Sequence, residues 1–316
     1  MSDITPETRL WNLTRGALAT RALAVVTDLR VAEVLAADSR DVSSLARESG
    51  ADPDVLHRLL RALASDGVFV EESPGVFRNN DASDLLRDGG WGDFAHLFGG
   101  VWHRTAGELE ATPEPVFPRL NGTDFWPWLA AHPEERAAFD RAMVEGTERR
   151  VERLAAVDWR GTETVVDVGG GNGTLMAELL RRQEGLRAIV FDLPETIRDE
   201  SAFGDRCTFV AGDFFSSVPA GDVYVLSTVL HDWDDEQAAA ILHTISAAAP
   251  AGARLLALEA VVPPGNDPHG AKWLDLLLLA LFGGRERDEA QWRTLLARCG
   301  FEPVRIADGL IEAQCR

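Results

Sequence analysis

Positive charge is scarce in this chain: 31 lysines and arginines stand against 51 aspartates and glutamates, a formal net charge of −20. Such a surface repels phosphate backbones and anionic headgroups, so nucleic acid and membranes are poor candidate partners. Cysteine is scarcer still. Cys207, Cys299 and Cys315 show neither CxxC nor Cys/His ligand spacing, which argues against a disulfide scaffold and fits a reducing, cytoplasmic setting. Long apolar runs are missing as well. The longest, Leu276 to Phe282, falls far short of the roughly 20 residues needed to cross a bilayer. The acidic segment Met1 to Thr8 does not resemble a secretory signal.

What is present suits a folded enzyme. With 46% hydrophobic and 26% charged residues the chain can bury a full core, and 316 residues exceed the size at which single cores stop growing, so two subdomains are expected. Apolar residues recur at helical spacing from Leu10 to Leu35. A capped helix follows at Asp41, then a second carrying Leu56, Leu59, Leu60 and Leu63 on one face, then a hairpin through Val68, Ser73 and Val76. Helix, helix, hairpin is a winged-helix pattern. Its second helix sets Arg58 and Arg61 against Asp52 and Asp54, not the basic face that groove reading requires, so a structural wing that pairs subunits is preferred to a regulator. The expected boundaries are a helical dimerisation domain over 1–105, a helical linker over 106–157 and an α/β domain over 158–316.

Residues 91–145 are dense in aromatics, including Trp102, Phe117, Trp126 and Phe139. Core and a pocket for a flat ring are equally good readings for any one of them, and Met143 suits an adaptable wall. After Trp159 short apolar strands alternate with helices: strands near Thr164, Ala188, Cys207, Val223 and Arg254, helices over Thr174 to Arg182 and Glu236 to Ala249. This predicts a doubly wound, Rossmann-like parallel sheet.

Residues 166–174 read Val-Asp-Val-Gly-Gly-Gly-Asn-Gly-Thr, a glycine turn that leaves a strand and opens a helix. Gly169, Gly171 and Gly173 give Gly-x-Gly-x-Gly where a nicotinamide fingerprint needs Gly-x-Gly-x-x-Gly, which favours S-adenosylmethionine (SAM). Asp192 closes the next strand, where a carboxylate can accept both hydroxyls of a ribose, and Leu193 follows it. Gly212, Asp213 and Phe214 end the third, where an acceptor for an adenine amino group and an apolar surface for its ring belong. Three acidic strand ends, Asp167, Asp192 and Asp213, suit a sulfonium cation better than a pyrophosphate.

Over almost its whole length the chain resembles the plant caffeate-type and bacterial hydroxyneurosporene-type small-molecule O-methyltransferases. The motifs that carry the likeness are the glycine turn, Gly212 to Phe215, Val229 to Asp235 (Val-Leu-His-Asp-Trp-Asp-Asp) and Gly283 to Arg287 (Gly-Gly-Arg-Glu-Arg). The resemblance implies a homodimer held by the N-terminal region and metal-independent methylation of a hydroxyl, with S-adenosylhomocysteine (SAH) as product. It places Gly169 and Gly171 against the cofactor, Asp192 on its ribose, and Asp213, Phe214 and Trp233 around adenine. Bacterial relatives often carry Arg or Lys just before the His motif; Ser227 and Thr228 stand here instead.

The resemblance makes His231 the general base and Glu259 and Glu286 its acidic partners, with Asp232 touching substrate or helping to position it. A neutral imidazole, whose ordinary pKa is about 6.5, can take a phenolic proton while oxygen attacks the methyl carbon. Trp273, Leu277 and Leu281 recur every four residues on a helix face that the resemblance assigns to the acceptor pocket. Asp234 and Asp235 fall at a helix start, so capping explains them without a metal. Two rival functions remain: a SAM-binding enzyme of the same fold doing N- or C-methylation, hydroxylation or decarboxylation, and a noncatalytic winged-helix regulator.

Overall fold

The computed structural model describes residues 5–87, 90–194, 196–197 and 204–316; residues 1–4 of the acidic N-terminal segment lie outside these. The chain divides into two compact units. The first contains residues up to Glu108 together with Ala131–Glu145; the second contains Leu109–Ala130 and Gly146–Arg316. The expected linker over 106–157 is therefore split between them. Residues 133–144 form a helix whose Arg141 makes a two-point ion pair with Asp93 and whose Phe139 meets Trp102 edge-on at 6.5 Å, which ties it to the first unit. Phe125 meets Phe282 at 4.9 Å, so its segment belongs with the second.

In the first unit helices span Pro6–Thr14, Gly16–Asp28 and Val31–Val34, followed by strand β1 (Arg40–Asp41), helices Val42–Ser49 and Pro53–Ser65, and strands β2 (Val70–Ser73) and β3 (Val76–Arg78). The strands pair antiparallel in the order β1-β3-β2, the wing. Helix Pro53–Ser65 starts where it does because Asp52 accepts from the N–H groups of Asp54 and Val55, both at 3.0 Å, with Pro53 pre-set in the first turn. Its Leu56, Leu60 and Leu63 are buried with Val26, Leu45 and Phe77.

The second unit is built on a seven-stranded sheet: β4 (Thr164–Val168), β5 (Arg187–Asp192), β6 (Cys207–Ala211), β7 (Val223–Ser227), β8 (Arg254–Leu258), β9 (Phe301–Ala307) and β10 (Leu310–Cys315), in the order β6-β5-β4-β7-β8-β10-β9. The first five are parallel and apolar on both faces, because helices cover both. The fully parallel sheet expected from the sequence is corrected at one edge: β10 runs antiparallel to β8 and β9. Asp308 and Gly309, with φ of 54° and 72°, make the tight turn between them that twisted hairpins favour. Winding reverses between β4 and β7, and in open sheets ligands bind at the carboxyl ends beside such a reversal. No helix among the described residues is long and apolar enough to cross a membrane.

Candidate active site

The glycine turn leaves β4 and the His231 segment leaves β7, so adjacent strands deliver both to the switch point. Gly169 has φ of +72°, and a Cβ there would come within 2.8 Å of Val229, on the segment leading to His231; only glycine lets the two approach. Gly171 N–H donates to Asp192 Oδ2 at 2.8 Å, while Leu193 N–H donates to Oδ1 at 2.7 Å, fixing the carboxylate at the end of β5. Among the described residues, a Cβ on Gly171 would meet nothing within 4 Å.

Asp167 is 1% exposed, and neither of its carboxylate oxygens has a hydrogen-bond partner among the described residues; the buried Ser227 Oγ is in the same condition. Burial and then the neighbouring Asp192 push Asp167 up to about 7, with Arg150 opposing. Leaving such groups buried and unpaired is costly, and a polar, cationic ligand would relieve that cost. Phe214, Phe215 and Trp233 form an edge-to-face cluster, with Phe215 and Trp233 at 4.8 Å and Phe214 and Trp233 at 5.9 Å. Asp213 accepts from Phe215 N–H at 2.9 Å and so shapes the turn after Gly212. Cationic demand at Asp167, a clamped carboxylate at Asp192 and an aromatic cluster beyond β6 fit the amino, ribose and adenine parts of SAM.

His231 sits in a 3-10 turn, Leu230–Asp232, with 8% exposure. Its Nδ1 lies 3.1 Å from Glu286 Oε1 and 3.8 Å from Glu259 Oε2, and its Nε2 lies 3.5 Å from Asp232 Oδ1. A carboxylate can only accept, so Glu286 holds the hydrogen on Nδ1 and leaves Nε2 to exchange a proton. Burial opposes a charged ring, yet Glu259, Asp232 and Glu286 outweigh it and push His231 up to about 10. Burial raises Asp232 to about 7 and also raises Glu259, each against the pull of His231. Glu286 is itself held by its N–H, which donates to Asp275 Oδ1 at 2.7 Å. Just before this turn Thr228 is forced to φ of +55°, a strained conformation for a β-branched residue of the sort found at functional sites.

Asp234 caps the following helix through the N–H groups of Glu236 and Gln237, and no group of three or more His, Cys, Asp or Glu placed to hold a metal ion occurs among the described residues. Trp126 stacks on Phe282 at 5.5 Å and 11°. Trp273, on helix Ala271–Phe282, is 66% exposed, whereas Leu277 and Leu281 are buried. Phe139 and Met143 belong to the first unit. Two residues escaped the sequence reading: Arg150, which bears on Asp167, and the fully buried Arg287, which donates to main-chain oxygens of the His231 segment. An arginine's burial leaves no mark in the sequence.

A family model described as the O-methyltransferase domain matches residues 102–302, and one for the O-methyltransferase dimerisation domain matches 11–88. The chain belongs to the O-methyltransferase family. This O-methyltransferase is 37% identical to phenazine O-methyltransferase PhzM of Lysobacter antibioticus, over 97% of this chain and 95% of that protein. Its fold matches NcsB1, an O-methyltransferase from neocarzinostatin biosynthesis solved with SAH and 1,4-dihydroxy-2-naphthoic acid. The TM-score is 0.79, with 34% identity over 94% of this chain and 96% of that one. It also matches RosA of Streptomyces davawensis, an N,N-8-amino-8-demethyl-D-riboflavin dimethyltransferase, with a TM-score of 0.77 and 31% identity over 99% and 100% of the two chains.

Proposed function

We propose that this enzyme transfers the methyl group of SAM to a hydroxyl, phenolic in character, of a small aromatic or polyketide-like secondary metabolite, with His231 as general base. The observation that carries the reading is the buried His231–Glu286 pair, 3.1 Å apart, with His231 in the turn that leaves the strand next to the glycine turn's own strand. When bound, SAM supplies an activated methyl group on a sulfonium centre. A phenol with a pKa of about 10 is only about 0.1% ionised at pH 7, an uphill step of roughly 4 kcal/mol, so a base is required. Glu286 and Glu259 stabilise the ring once it has taken the proton, and Asp232 orients the acceptor beside Nε2.

On the cofactor side the reading assigns the ribose hydroxyls to Asp192, adenine to Asp213, Phe214 and Trp233, and the amino group to Asp167 and Ser227. Arg150 supplies the positive charge that a carboxylate needs and that Ser227 and Thr228 lack. Trp126, Trp273, Leu277 and Leu281 are proposed as apolar contacts for the acceptor. Leu10, Trp11, Leu13 and Leu18 leave 58–75% of their surfaces exposed on the first two helices, and a second copy of the chain is proposed to cover them. Cys207, Cys299 and Cys315 are buried and form no disulfide among the described residues, which fits the cytoplasmic setting proposed here.

The likeness to RosA, whose acceptor is an amine, favours N-methylation as the second reading. Methyl-labelled SAM offered with 1,4-dihydroxy-2-naphthoic acid and with 3-amino-4-hydroxybenzoate, which carries both acceptor atoms, separates the two. Labelled aryl ether is the expected product. Label on nitrogen overturns the choice of acceptor atom, and failure of folded protein to take up SAH in calorimetry overturns the whole reading.

A further inference from the structure

The loop that delivers Glu286 does more to His231 than supply a carboxylate. Arg285 N–H donates to the His231 carbonyl at 2.8 Å. The Arg287 side chain, with no exposed surface, donates from Nη1 to the Leu230 carbonyl at 2.9 Å and from Nη2 to the Trp233 carbonyl at 2.9 Å. Its Nε donates to Asp235 Oδ1 at 2.9 Å, and its charge lies 5.2 Å from the Trp292 ring. The carbonyls of residues 230, 231 and 233 are thus all gripped from one loop. The approach is so close that a Cβ on Gly284 would fall 2.3 Å from the His231 carbonyl oxygen. Residues 285 and 287 fix the main chain of the turn, and residue 286 between them fixes the ring.

Burying a guanidinium costs several kcal/mol in desolvation, and the carboxylate that pairs with it, Asp235, is 45% exposed. Stability alone is a weak reason to keep it, since an apolar side chain of the same volume avoids that cost. What no apolar residue offers is a planar fork whose donors reach carbonyls three residues apart, and lysine's point charge offers it only in part.

We propose that Arg287 is a positioning residue, whose fork sets the His231 imidazole and the Trp233 ring as one unit against Glu286. This rests on the reading of His231 as base and Trp233 as adenine contact, and it adds that the two sides of the reaction are aligned by a single buried cation touching neither substrate.

Arg287→Lys and Arg287→Met are compared with the parent by SAH calorimetry, by NMR titration of the His231 ring (assigned by its loss in His231→Gln) and by methyl transfer to 1,4-dihydroxy-2-naphthoic acid. Asp235→Asn, which loosens one contact of the fork, serves if Arg287→Met does not fold. The expected result for Arg287→Lys is a His231 midpoint moved down toward 6.5, SAH affinity weakened several-fold, and kcat lowered about 10- to 100-fold, as a misplacement near 1 Å implies. Arg287→Met shows more of each effect and Asp235→Asn less. Removing the Arg287 charge without moving the ring raises the midpoint instead, so in Arg287→Met the direction separates positioning from simple electrostatics; in Asp235→Asn, where loss of a negative charge lowers the midpoint either way, kcat and SAH affinity decide. A lowered melting temperature with the His231 midpoint and kcat unchanged overturns the proposal. A parent protein that fails to bind SAH overturns the functional reading instead, and the His231 midpoint then still decides whether Arg287 holds the ring.

Discussion

Glu259 governs His231 through two oxygens with separate tasks. Oε1 accepts the N–H groups of Val229 and Leu230, at 3.0 and 2.8 Å, and so pins the chain entering the turn, while Oε2 stands 3.8 Å from the imidazole Nδ1. One buried side chain therefore positions the ring and sets its charge.

Because the carboxylates push His231 up to about 10 and a base must be unprotonated, kcat/KM is expected to rise with pH through a midpoint well above 6.5. Glu259→Gln keeps an oxygen for the two amides but loses the charge, so that midpoint should fall by roughly one to three units. The cluster titrates as a unit, and a pH–rate profile of the variant against the parent measures the shift. An unmoved midpoint sinks the assignment of Glu259 as an electrostatic partner.

Truncation of the base gives the second expectation. His231→Ala should lower kcat by about 10²- to 10⁴-fold, the usual worth of general base catalysis, while SAH binding stays within a few-fold of the parent. Labelled transfer and calorimetry on the same preparation report both quantities. Unchanged turnover removes His231 from the mechanism.

Asp167, proposed above to hold the amino group of SAM, also bears on stability. Its folded value of about 7 lies above the unfolded value near 3.9, so the native state binds its proton more tightly and loses stability as pH rises between them. Asp167→Asn removes that penalty and should stabilise the ligand-free protein at pH 8 by on the order of a few kcal/mol, with the gain vanishing near pH 3.5. Thermal unfolding at the two pH values tests this. SAH affinity should drop at least about tenfold, as loss of a charged contact to an ammonium group implies.

Quaternary structure provides a test independent of chemistry. Trp11 is 64% and Leu13 58% exposed on a helix with no buried residue. The double change Trp11→Glu, Leu13→Glu should convert a dimer to monomer in light scattering, because burying charge at an apolar contact is strongly unfavourable. A parent protein already monomeric at micromolar concentration contradicts the proposed homodimer.

The parts of this enzyme written locally were legible. Helix Thr174–Arg182 and strands β4 and β8 fall where apolar periodicity puts them, and the glycine turn stands between strand and helix as its composition requires. The turn of the β9–β10 hairpin is also marked locally, by Asp308 and Gly309. The split of residues 106–157 between two units was not legible, because a helix's partner is chosen by contacts such as Arg141 with Asp93, far away in sequence.

The sequence by itself determined the strand–turn–helix grammar, the acidic strand ends and the motif around His231, since each depends on near neighbours and backbone conformation. Only the tertiary structure decided that Glu259 from the end of β8 and Glu286 from a later loop meet at one imidazole, that Asp167 has no hydrogen-bond partner among the described residues, and that Arg287 donates to the main chain of the turn. Charge interactions and desolvation depend on distance through space and exclusion of water, and separation along the chain encodes neither.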